Sequence, residues 1–307
     1  MDTLETLNDR FAIPLNLRFK PLGDVLISAD ITNAHGTASL SLQGGHVLSW
    51  QPTNTLEPVV WMSPAAVFAP HTPIRGGIPI CWPWFGAHAA DAAFPAHGFA
   101  RTQLWQVTGT RSLEDGSTEI AFSFVPSVDT QAFWPHTSRL DLLVNVGASL
   151  KIALITRNLG ASDFTMTEAL HTYFSVSNVA QVQVDGLDGV HFHDKAADWA
   201  QGDQTGTVTF AAEVDRIYVN STSRCTIVDP AWQRRIHINK LGSHSTVVWN
   251  PWAARAAQMG DLGAESERGG WKSFVCVESA NALENAVTVP AGQSHTLAVE
   301  YRVEILV

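Results

Sequence analysis

One glutamate and one histidine stand in sequence settings that suit chemistry on a substrate. Glu278 follows the apolar run Phe274-Val275-Cys276-Val277, which predicts a central strand buried on both faces with the carboxylate at its end. Desolvation there would raise the pKa of the carboxyl and suit it to act as a general base near neutral pH. His171 lies in the stretch 168–175, where a strand would place it on the more polar face, as in a binding surface. The alternatives are a glutamate paired with an arginine and a structural histidine bonded to a hydroxyl.

Two arginines bracket an irregular segment, Arg75–Arg101, that is rich in glycine, proline and tryptophan. The segment is too irregular for a helix and too rich in proline for a central strand. Because it is costly to order and contributes little regular hydrogen bonding, we expect that it is kept for what it binds. The alternative is a loop that covers the core, with both arginines solvated.

Other polar and aromatic residues could contact a sugar. Asp215 could bond sugar hydroxyls or could pair with Arg216. The chain has eleven tryptophans, and indole faces pack well against the apolar faces of sugar rings, although most of the eleven must belong to the core. Asn250-Pro251-Trp252 follows a predicted strand directly and is the best candidate for a strand-end loop near the site.

His191-Phe192-His193 places two imidazoles on one face of a strand, as in a metal-binding pair. Asp194 and Asp198 are the nearby acidic residues, but no third ligand stands at a convincing spacing, so we predict no metal. The P-loop, G-x-G-x-x-G, H-E-x-x-H and G-x-S-x-G patterns are absent, which removes the commonest nucleotide, zinc-protease and hydrolase signatures.

The composition describes a folded, acidic protein. Of 307 residues, 45% are hydrophobic and 16% are charged, and the formal net charge is −10. No basic field exists to hold a nucleic acid or an anionic membrane, so an anionic substrate would need a locally positive pocket. The N-terminus lacks an apolar signal region, no apolar run reaches the ~20 residues of a membrane helix, and the three cysteines are widely separated. We predict a soluble cytoplasmic protein with reduced thiols.

Short β-rich runs separated by turn signals must position these residues. Residues 1–12 predict one short helix, and Ala253–Met259 predicts a second. Residues 1–24 are assigned to an N-terminal extension and residues 25–307 to a single domain. The predicted fold class is all-β, a large antiparallel β-sandwich or barrel with few short helices. The predicted strands are Val25–Ile31, Ala38–Gln43, Val47–Gln51, Trp105–Thr110, Glu119–Val125, Arg139–Val146, Leu150–Asn158, Phe164–Val176, Val182–Val184, Thr207–Phe210, Arg216–Val219, Cys225–Val228, Arg235–Asn239, Thr246–Trp249, Ser273–Ser279 and His295–Leu306.

Five motifs, taken together, resemble one family. They resemble the hexose-6-phosphate mutarotases, also called glucose-6-phosphate 1-epimerases, of the aldose 1-epimerase superfamily. They occur in the family's order, and the resemblance extends from about Val25 to the C-terminus. The motifs are Arg75-Gly76-Gly77-Ile78-Pro79, His97-Gly98-Phe99-Ala100-Arg101, His171-Thr172-Tyr173-Phe174, Asn250-Pro251-Trp252 and Val275-Cys276-Val277-Glu278.

The resemblance implies a galactose-mutarotase-like β-sandwich (a supersandwich) and a role for each candidate residue. It implies His171 as general acid, Glu278 as general base, Arg75 and Arg101 as phosphate ligands, Asp215 as ligand to a sugar hydroxyl and His97 as a residue lining the sugar site. It also implies a small-molecule sugar phosphate as the ligand, with no metal or cofactor. We predict a monomer with no nucleic-acid or membrane partner. Some relatives carry Gln immediately before the His-Gly pair, where this chain has Ala96, and this difference bears on substrate preference.

The function that this resemblance implies is interconversion of the α and β anomers of a hexose 6-phosphate by acid–base ring opening and closure. Two alternatives remain open. One is an aldose 1-epimerase that acts on unphosphorylated sugars, and the other is a non-catalytic module that binds a sugar phosphate.

Overall fold

Antiparallel strands form most of the framework. The computed structural model describes residues 2–262 and 270–306. The helices found there, α1 (Leu4–Phe11) and α2 (Trp252–Ala256), are both too short to cross a membrane. The strands are β1 (Leu17–Leu22), β2 (Leu26–Asn33), β3 (Gly36–Ser41), β4 (His46–Pro52), β5 (Ile80–Cys81), β6 (Gln106–Ser112), β7 (Thr118–Phe124), β8 (Ser138–Val146), β9 (Leu150–Asn158), β10 (Phe164–Met166), β11 (Glu168–Leu170), β12 (Tyr173–Ser175), β13 (Gln183–Asp185), β14 (His191–Asp194), β15 (Ala200–Asp203), β16 (Val208–Thr209), β17 (Val214–Tyr218), β18 (Cys225–Asp229), β19 (Arg234–Leu241), β20 (Ser245–Asn250), β21 (Phe274–Asn281), β22 (Val287–Val289) and β23 (Ser294–Ile305).

The strands of the described residues assemble into two large sheets and two small ones. The nine-stranded sheet has the order β16-β13-β18-β19-β23-β9-β8-β7-β6. The eight-stranded sheet has the order β15-β14-β17-β20-β21-β11-β5, and β12 also pairs with β21. The small sheets are β1-β2-β3-β4 and β10-β22, and neighbouring strands pair antiparallel in all four sheets. The predicted all-β class is confirmed.

The hydrophobic alternation of β8 and β9 explains how the nine-stranded sheet meets the core. Their residues alternate between buried and partly exposed along both strands. The buried set includes Leu140, Leu142 and Val144 of β8 and Ile152 and Leu154 of β9, all within the main core. Because side chains alternate across a pleated strand, one face of this sheet packs inward and the other meets solvent.

β21 is a central strand that is buried on both faces, as predicted. Val275 and Val277 join the main core, whereas Cys276 lies in a separate cluster on the opposite side. Since alternate residues share a face, Glu278 projects on the same side as Cys276. The prediction that Glu278 ends the strand is wrong. The strand continues to Asn281, whose buried side chain satisfies its polar groups by hydrogen bonds.

The single predicted strand Phe164–Val176 is also wrong. The segment forms three strands, β10, β11 and β12. β10 pairs with β22 in a separate small sheet, and the chain leaves the eight-stranded sheet again at His171 and Thr172. The patterns also fail to reveal β1, β5, β15 and β22, which are very short, polar or interrupted by proline.

The N-terminal helix is confirmed, and the predicted second helix overlaps α2. Thr3 caps α1 by accepting a hydrogen bond from the backbone N–H of Thr6 at 3.1 Å, and Leu7 is buried. β1, from the predicted N-terminal extension, pairs with β2 and places Leu17 and Phe19 in the main core. The division of the chain into an extension and one domain stays a prediction.

Asn250, at the end of β20, should contribute strongly to stability. Its Nδ2 donates to the carbonyls of Trp271 (2.8 Å) and Phe274 (2.9 Å), its Oδ1 accepts from the N–H of Trp252 (2.9 Å), and it is fully buried. Asn250→Ala leaves these groups unpaired, so we expect the free energy of unfolding, measured in urea, to fall by about 2–4 kcal/mol. Asn16→Ala removes only a 3.4 Å surface hydrogen bond and should cost less than about 0.5 kcal/mol. Equal losses would contradict the assignment.

Candidate active site

The predicted acid and base lie side by side. His171 Nδ1 is 3.3 Å from Glu278 Oε1, and only 8% of His171 and 1% of Glu278 are exposed. Where the chain passes from β11 to β12, the backbone N–H of His171 donates to the carbonyl of Pro79 at 3.0 Å, which fixes the imidazole beside β21. The 3.3 Å approach is not a hydrogen bond. His171 Nδ1 and Glu278 Oε2 are buried without a hydrogen-bond partner among the described residues, so both can engage a ligand.

Burial sets opposite protonation preferences in the pair. It raises the pKa of Glu278 well above the ordinary glutamate value, and the negative charge of Asp215 adds to the effect. It lowers the pKa of His171 well below the ordinary histidine value, and the positive charges of Arg101 and Arg75 act in the same direction. Because each group disfavours its charged form, the singly protonated pair keeps its proton on Glu278, as neutral glutamic acid beside neutral imidazole, rather than as an ion pair. A single proton held between two groups is what a paired acid and base require.

Arg75 is held against the same face of the sheet. Its Nε donates to Asp261 Oδ2 and its Nη1 donates to the Tyr173 hydroxyl, both at 2.9 Å. Burial opposes the charge of Arg75, but Tyr173 and Asp261 outweigh it and hold the pKa of the guanidinium above its ordinary value. Tyr173 also stacks on His171, with ring centroids 5.0 Å apart and planes inclined by 10°. The tyrosine therefore links the cation to the acid–base pair.

The glycines after Arg75 allow the chain to pass close to its neighbours. Gly76 and Gly77 have φ angles of 99° and 70°, and a Cβ at Gly77 would overlap the imidazole of His46. Burial lowers the pKa of His46 to about 4, so its ring is neutral and donates from Nε2 to the carbonyl of Gly76 at 2.9 Å. The Arg-Gly-Gly sequence is therefore required by local packing as well as by the position of the arginine.

His97 is aimed at the site by a tight turn. His97 and Gly98 have φ angles of 65° and 70°, and a Cβ at Gly98 would overlap the carbonyl of Trp82. The His97 ring lies 5.6 Å from the His171 ring, and its Nδ1 accepts from the N–H of Gly86 at 3.3 Å. Burial lowers the pKa of His97 to about 3, so the ring enters the site uncharged.

Arg101 brings a second guanidinium into the site. Its Nη2 donates to the carbonyl of Ala96 at 2.8 Å, whereas its buried Nε has no hydrogen-bond partner among the described residues. Its charge opposes protonation of His97 and His171 and favours the ionised form of Glu278. The bond to Ala96 uses the backbone, so it does not depend on the side chain at that position.

Asp215 and Lys195 complete the set of charges. Lys195 Nζ is 2.8 Å from Asp215 Oδ2, and the two side chains are 29% and 17% exposed. Arg216 instead binds Asp194 Oδ2 at 2.8 Å, because successive residues of β17 point to opposite faces. The alternative in which Asp215 pairs with Arg216 is therefore wrong. The structure brings all six predicted site residues into one electrostatic neighbourhood around Glu278 and His171.

Known proteins resemble this chain in sequence and in fold. A family model described as aldose 1-epimerase matches residues 28–302. The chain belongs to the aldose 1-epimerase family. The family resemblance drawn from the five sequence motifs is thereby confirmed.

Similarity to relatives in this family extends over most of the chain. A protein of Escherichia coli strain K12, provisionally named glucose-6-phosphate 1-epimerase, is 39% identical over 267 residues, which cover 87% of this chain and 86% of its own. A Salmonella typhimurium LT2 protein with the same provisional name is 36% identical over 282 residues, covering 90% and 92%. The crystal structure of Salmonella typhimurium YeaD, provisionally described as a mutarotase, has a TM-score of 0.87 and 34% identity, covering 96% of both chains. A galactose mutarotase-like protein of Clostridium acetobutylicum shows the shared fold, with a TM-score of 0.71 and 13% identity over 94% of this chain and 98% of its own.

Three residues of this epimerase-family site are not identified from the sequence. Tyr173 lies two positions after His171, so strand alternation is a signal that points to it. Asp261 and Lys195 reach their partners only through tertiary contacts, 186 and 20 residues apart in sequence respectively. No local pattern marks either of them.

His191 and His193 lie on β14 but do not face a shared ligand. Their rings are 5.7 Å apart and inclined by 83°. His191 Nδ1 lies 2.8 Å from Asp203 Oδ1, and His193 Nε2 lies 3.4 Å from Glu284 Oε1. Each imidazole therefore has a carboxylate partner of its own.

Another trio offers metal-ligand atoms within the epimerase-family site. One atom each from His171, Cys276 and Glu278 lies within 4.8 Å of the others. Burial and the nearby Glu278 raise the pKa of Cys276 well above the ordinary thiol value, so its sulfur keeps its proton. The charges of Arg75 and Arg101 also act on this place. These surroundings favour an anion over a metal cation.

Trp249 supplies a partly exposed aromatic face beside the acid–base pair. Its ring centroid lies 6.0 Å from those of both His171 and Tyr173, with planes inclined by 82° and 88°. Trp252, in the predicted strand-end loop, packs on Trp271 at 4.5 Å. Trp249 therefore lies beside the acid–base pair, whereas Trp252 packs against another tryptophan.

The two arginines should bind an inorganic anion. Charge-assisted hydrogen bonds from guanidinium groups are worth roughly 1.5–3 kcal/mol each. We therefore expect calorimetry to detect binding of inorganic phosphate, and Arg75→Met with Arg101→Met to weaken it at least about tenfold. Arg111→Met removes an exposed cation paired with Glu119 on the nine-stranded sheet and should leave binding unchanged. Undiminished binding by the double variant would place the anion elsewhere.

Proposed function

We propose that this member of the aldose 1-epimerase family interconverts the α and β anomers of a hexose 6-phosphate, with glucose 6-phosphate as the leading substrate. The observation that carries the proposal is the buried pair His171 and Glu278, 3.3 Å apart and within the field of Arg75 and Arg101. The relatives with the provisional name glucose-6-phosphate 1-epimerase support the choice of substrate.

Anomer exchange requires one base and one acid. In the proposed reaction, Glu278 takes the proton of the C1 hydroxyl while His171 gives a proton to the ring oxygen. The bond between C1 and the ring oxygen breaks, the aldehyde rotates about the C1–C2 bond, and the ring closes on its other face with the proton transfers reversed. Each positioned transfer typically contributes ~10²–10⁴-fold.

The proton count of this cycle fits the buried pair. Before ring opening the pair is ionised glutamate and imidazolium, and after opening it is neutral glutamic acid and neutral imidazole. Both forms hold one proton. The second form is the one that burial favours in the empty site. The pair therefore needs no proton from solvent during the reaction.

The cations would select a phosphorylated sugar. Arg75 and Arg101 are the proposed phosphate ligands, because both guanidinium groups act on the acid–base pair from its surroundings. Asp215 would accept a hydrogen bond from a sugar hydroxyl, and His97, uncharged in the empty site, would line the sugar pocket.

The proposal includes a monomeric enzyme of the cytoplasm that uses no metal or cofactor. The reaction moves protons and no electrons, so an acid and a base are sufficient for it. The three cysteines are unpaired and buried, which agrees with a reducing compartment.

The protein should accelerate anomer exchange of glucose 6-phosphate, measured by NMR exchange or by polarimetry. Glu278→Gln should lower kcat by at least about 10²-fold, because an amide cannot take the C1 proton. Glu304→Gln, which changes an exposed glutamate of β23, should have no effect. A wild-type rate equal to that of buffer would overturn the proposal.

The same measurement on free glucose separates the alternatives. If the arginines select phosphate, kcat/KM for glucose 6-phosphate should exceed that for glucose by about 10²-fold or more. Equal values would support an aldose 1-epimerase of unphosphorylated sugars. Calorimetric binding of glucose 6-phosphate without any exchange would support a non-catalytic module.

The pH profile of kcat/KM should be bell-shaped. Activity needs exactly one proton in the pair, so it falls when a second proton is added and when the last proton leaves. The acid limb reports protonation of His171, whose pKa is lowered, so its midpoint should lie below the ordinary histidine value of about 6.5. The alkaline limb reports ionisation of Glu278, whose pKa is raised, so its midpoint should lie above the ordinary glutamate value of about 4.3. NMR exchange rates in buffers of constant ionic strength would measure both limbs. An acid limb above pH 7 would contradict the assignment.

A further inference from the structure

Two ion pairs join the end of β14 and the short 3₁₀ turn that follows it, Lys195–Ala197, to β17. Lys195 Nζ binds Asp215 Oδ2, and Asp194 Oδ2 binds Arg216 Nε, each at 2.8 Å. Asp194 also caps the turn, since its Oδ1 accepts from the N–H of Ala196 at 3.1 Å. Asp194 at the end of β14 and Lys195 at the start of the turn thus bind the adjacent residues Arg216 and Asp215 of β17, which holds Lys195 beside the face of β17 that carries Asp215.

Asp215 brings a second carboxylate into the neighbourhood of Glu278. β17 pairs with β20, and β20 pairs with β21. In these registers Asp215 is opposite Trp249, and Trp249 is opposite Cys276, whose side chain shares a face of β21 with Glu278. Two carboxylates of like charge on one face favour the protonated form of the more deeply buried one. Asp215 is less buried than Glu278.

Lys195 is the cation bonded to that second carboxylate. The ion pair occupies Asp215 Oδ2, and among the described residues no hydrogen bond uses Oδ1, which could therefore accept one from a sugar hydroxyl. The side chains of Lys195 and Asp215 are only 29% and 17% exposed, so water screens their charges incompletely. The charge of Lys195 acts on both Glu278 and His97.

We propose that Lys195 is a positioning residue of the epimerase site: it holds Asp215 with one oxygen directed to the sugar, and it offsets the negative charge of Asp215 beside Glu278. This inference rests on the proposed function. It assigns Lys195 to the base side of the reaction and leaves the phosphate to Arg75 and Arg101.

Several other groups surround Glu278, and the experiment must separate Lys195 from them. Burial and the charge of Asp215 favour its protonated form, whereas Lys195 and Arg101 favour its ionised form. Among the described residues, the other ionisable groups that lie beside Glu278 or interact with it electrostatically are His171 between β11 and β12, Tyr173 of β12, Cys276 of β21, Cys81 of β5 and Tyr301 of β23.

The test is the pH profile of kcat/KM for glucose 6-phosphate, measured by NMR exchange on wild type and Lys195→Met. Loss of one positive charge makes protons harder to remove, so both limbs should move to higher pH, by about one unit for a charge in a partly screened site. Lys195→Arg keeps the charge and should restore both limbs. Lys151→Met removes an exposed lysine of β9 and should leave the profile unchanged.

If Lys195→Met does not fold, the pH profile of Asp215→Asn tests the inference independently. It removes the negative charge and leaves Lys195 in place, so both limbs should move to lower pH, together with a higher KM from the lost hydroxyl contact. Limbs of the Asp215→Asn profile that stay in place or move to higher pH would overturn the inference.

Other outcomes also overturn the inference. A higher KM for glucose 6-phosphate in Lys195→Met, with an unmoved profile and an unchanged KM for glucose, would make Lys195 a phosphate ligand. An unmoved profile with unchanged KM and kcat would make the ion pair structural only. Wild-type protein without any exchange activity would overturn the proposed function together with this inference, whereas an active wild type with an unmoved Lys195→Met profile overturns this inference alone.

Discussion

The burial of an imidazole and a carboxyl group against one strand is the constraint on which the rest of the site depends. Neither His171 nor Glu278 is stable as an isolated charge in that place, because both have lost their water. The two groups become charged together, when Glu278 gives up a proton and His171 gains one through the bound substrate. Such an exchange demands fixed geometry, and β21 provides it by anchoring Val275 and Val277 in the main core while Glu278 projects from the opposite face.

The irregular segment Arg75–Arg101 combines the two roles that its sequence left open. Trp82 is fully buried within it and packs edge-on against Phe99, with ring centroids 5.7 Å apart, so the segment does cover the core. Its ends nevertheless direct Arg75 and Arg101 into the neighbourhood of the acid–base pair. Packing of the large aromatic side chains offsets the entropy lost in ordering an irregular chain. A single segment therefore serves the core and the site.

The predictable parts of this molecule are those encoded by local pattern. Alternation in β8 and β9 and the continuous apolar run of β21 reflect which faces are buried, and burial is a local property of a strand. The burial of Glu278 followed from the same pattern. The break of the ladder at His171 did not, because it depends on the backbone bond to Pro79, which is far away in sequence.

Ion pairs are the part of the site that sequence could not supply. Asp215 has a cation, Arg216, as its immediate neighbour, yet it binds Lys195. A residue's neighbour in a strand points to the other face, so adjacency of opposite charges there is evidence against a contact. The partner of Arg75, Asp261, belongs to a distant loop. Only the tertiary structure determines such pairings.

The charges of the site also explain how a protein with a net charge of −10 can attract an anion. Arg75 and Lys195 each have a carboxylate partner, Asp261 and Asp215. Their charges are therefore largely balanced before any ligand arrives. Arg101 differs, because its hydrogen bond among the described residues goes to a neutral carbonyl. The excess positive charge is thus concentrated at Arg101, and an anion bound there adds an attraction that no carboxylate of the described site already satisfies.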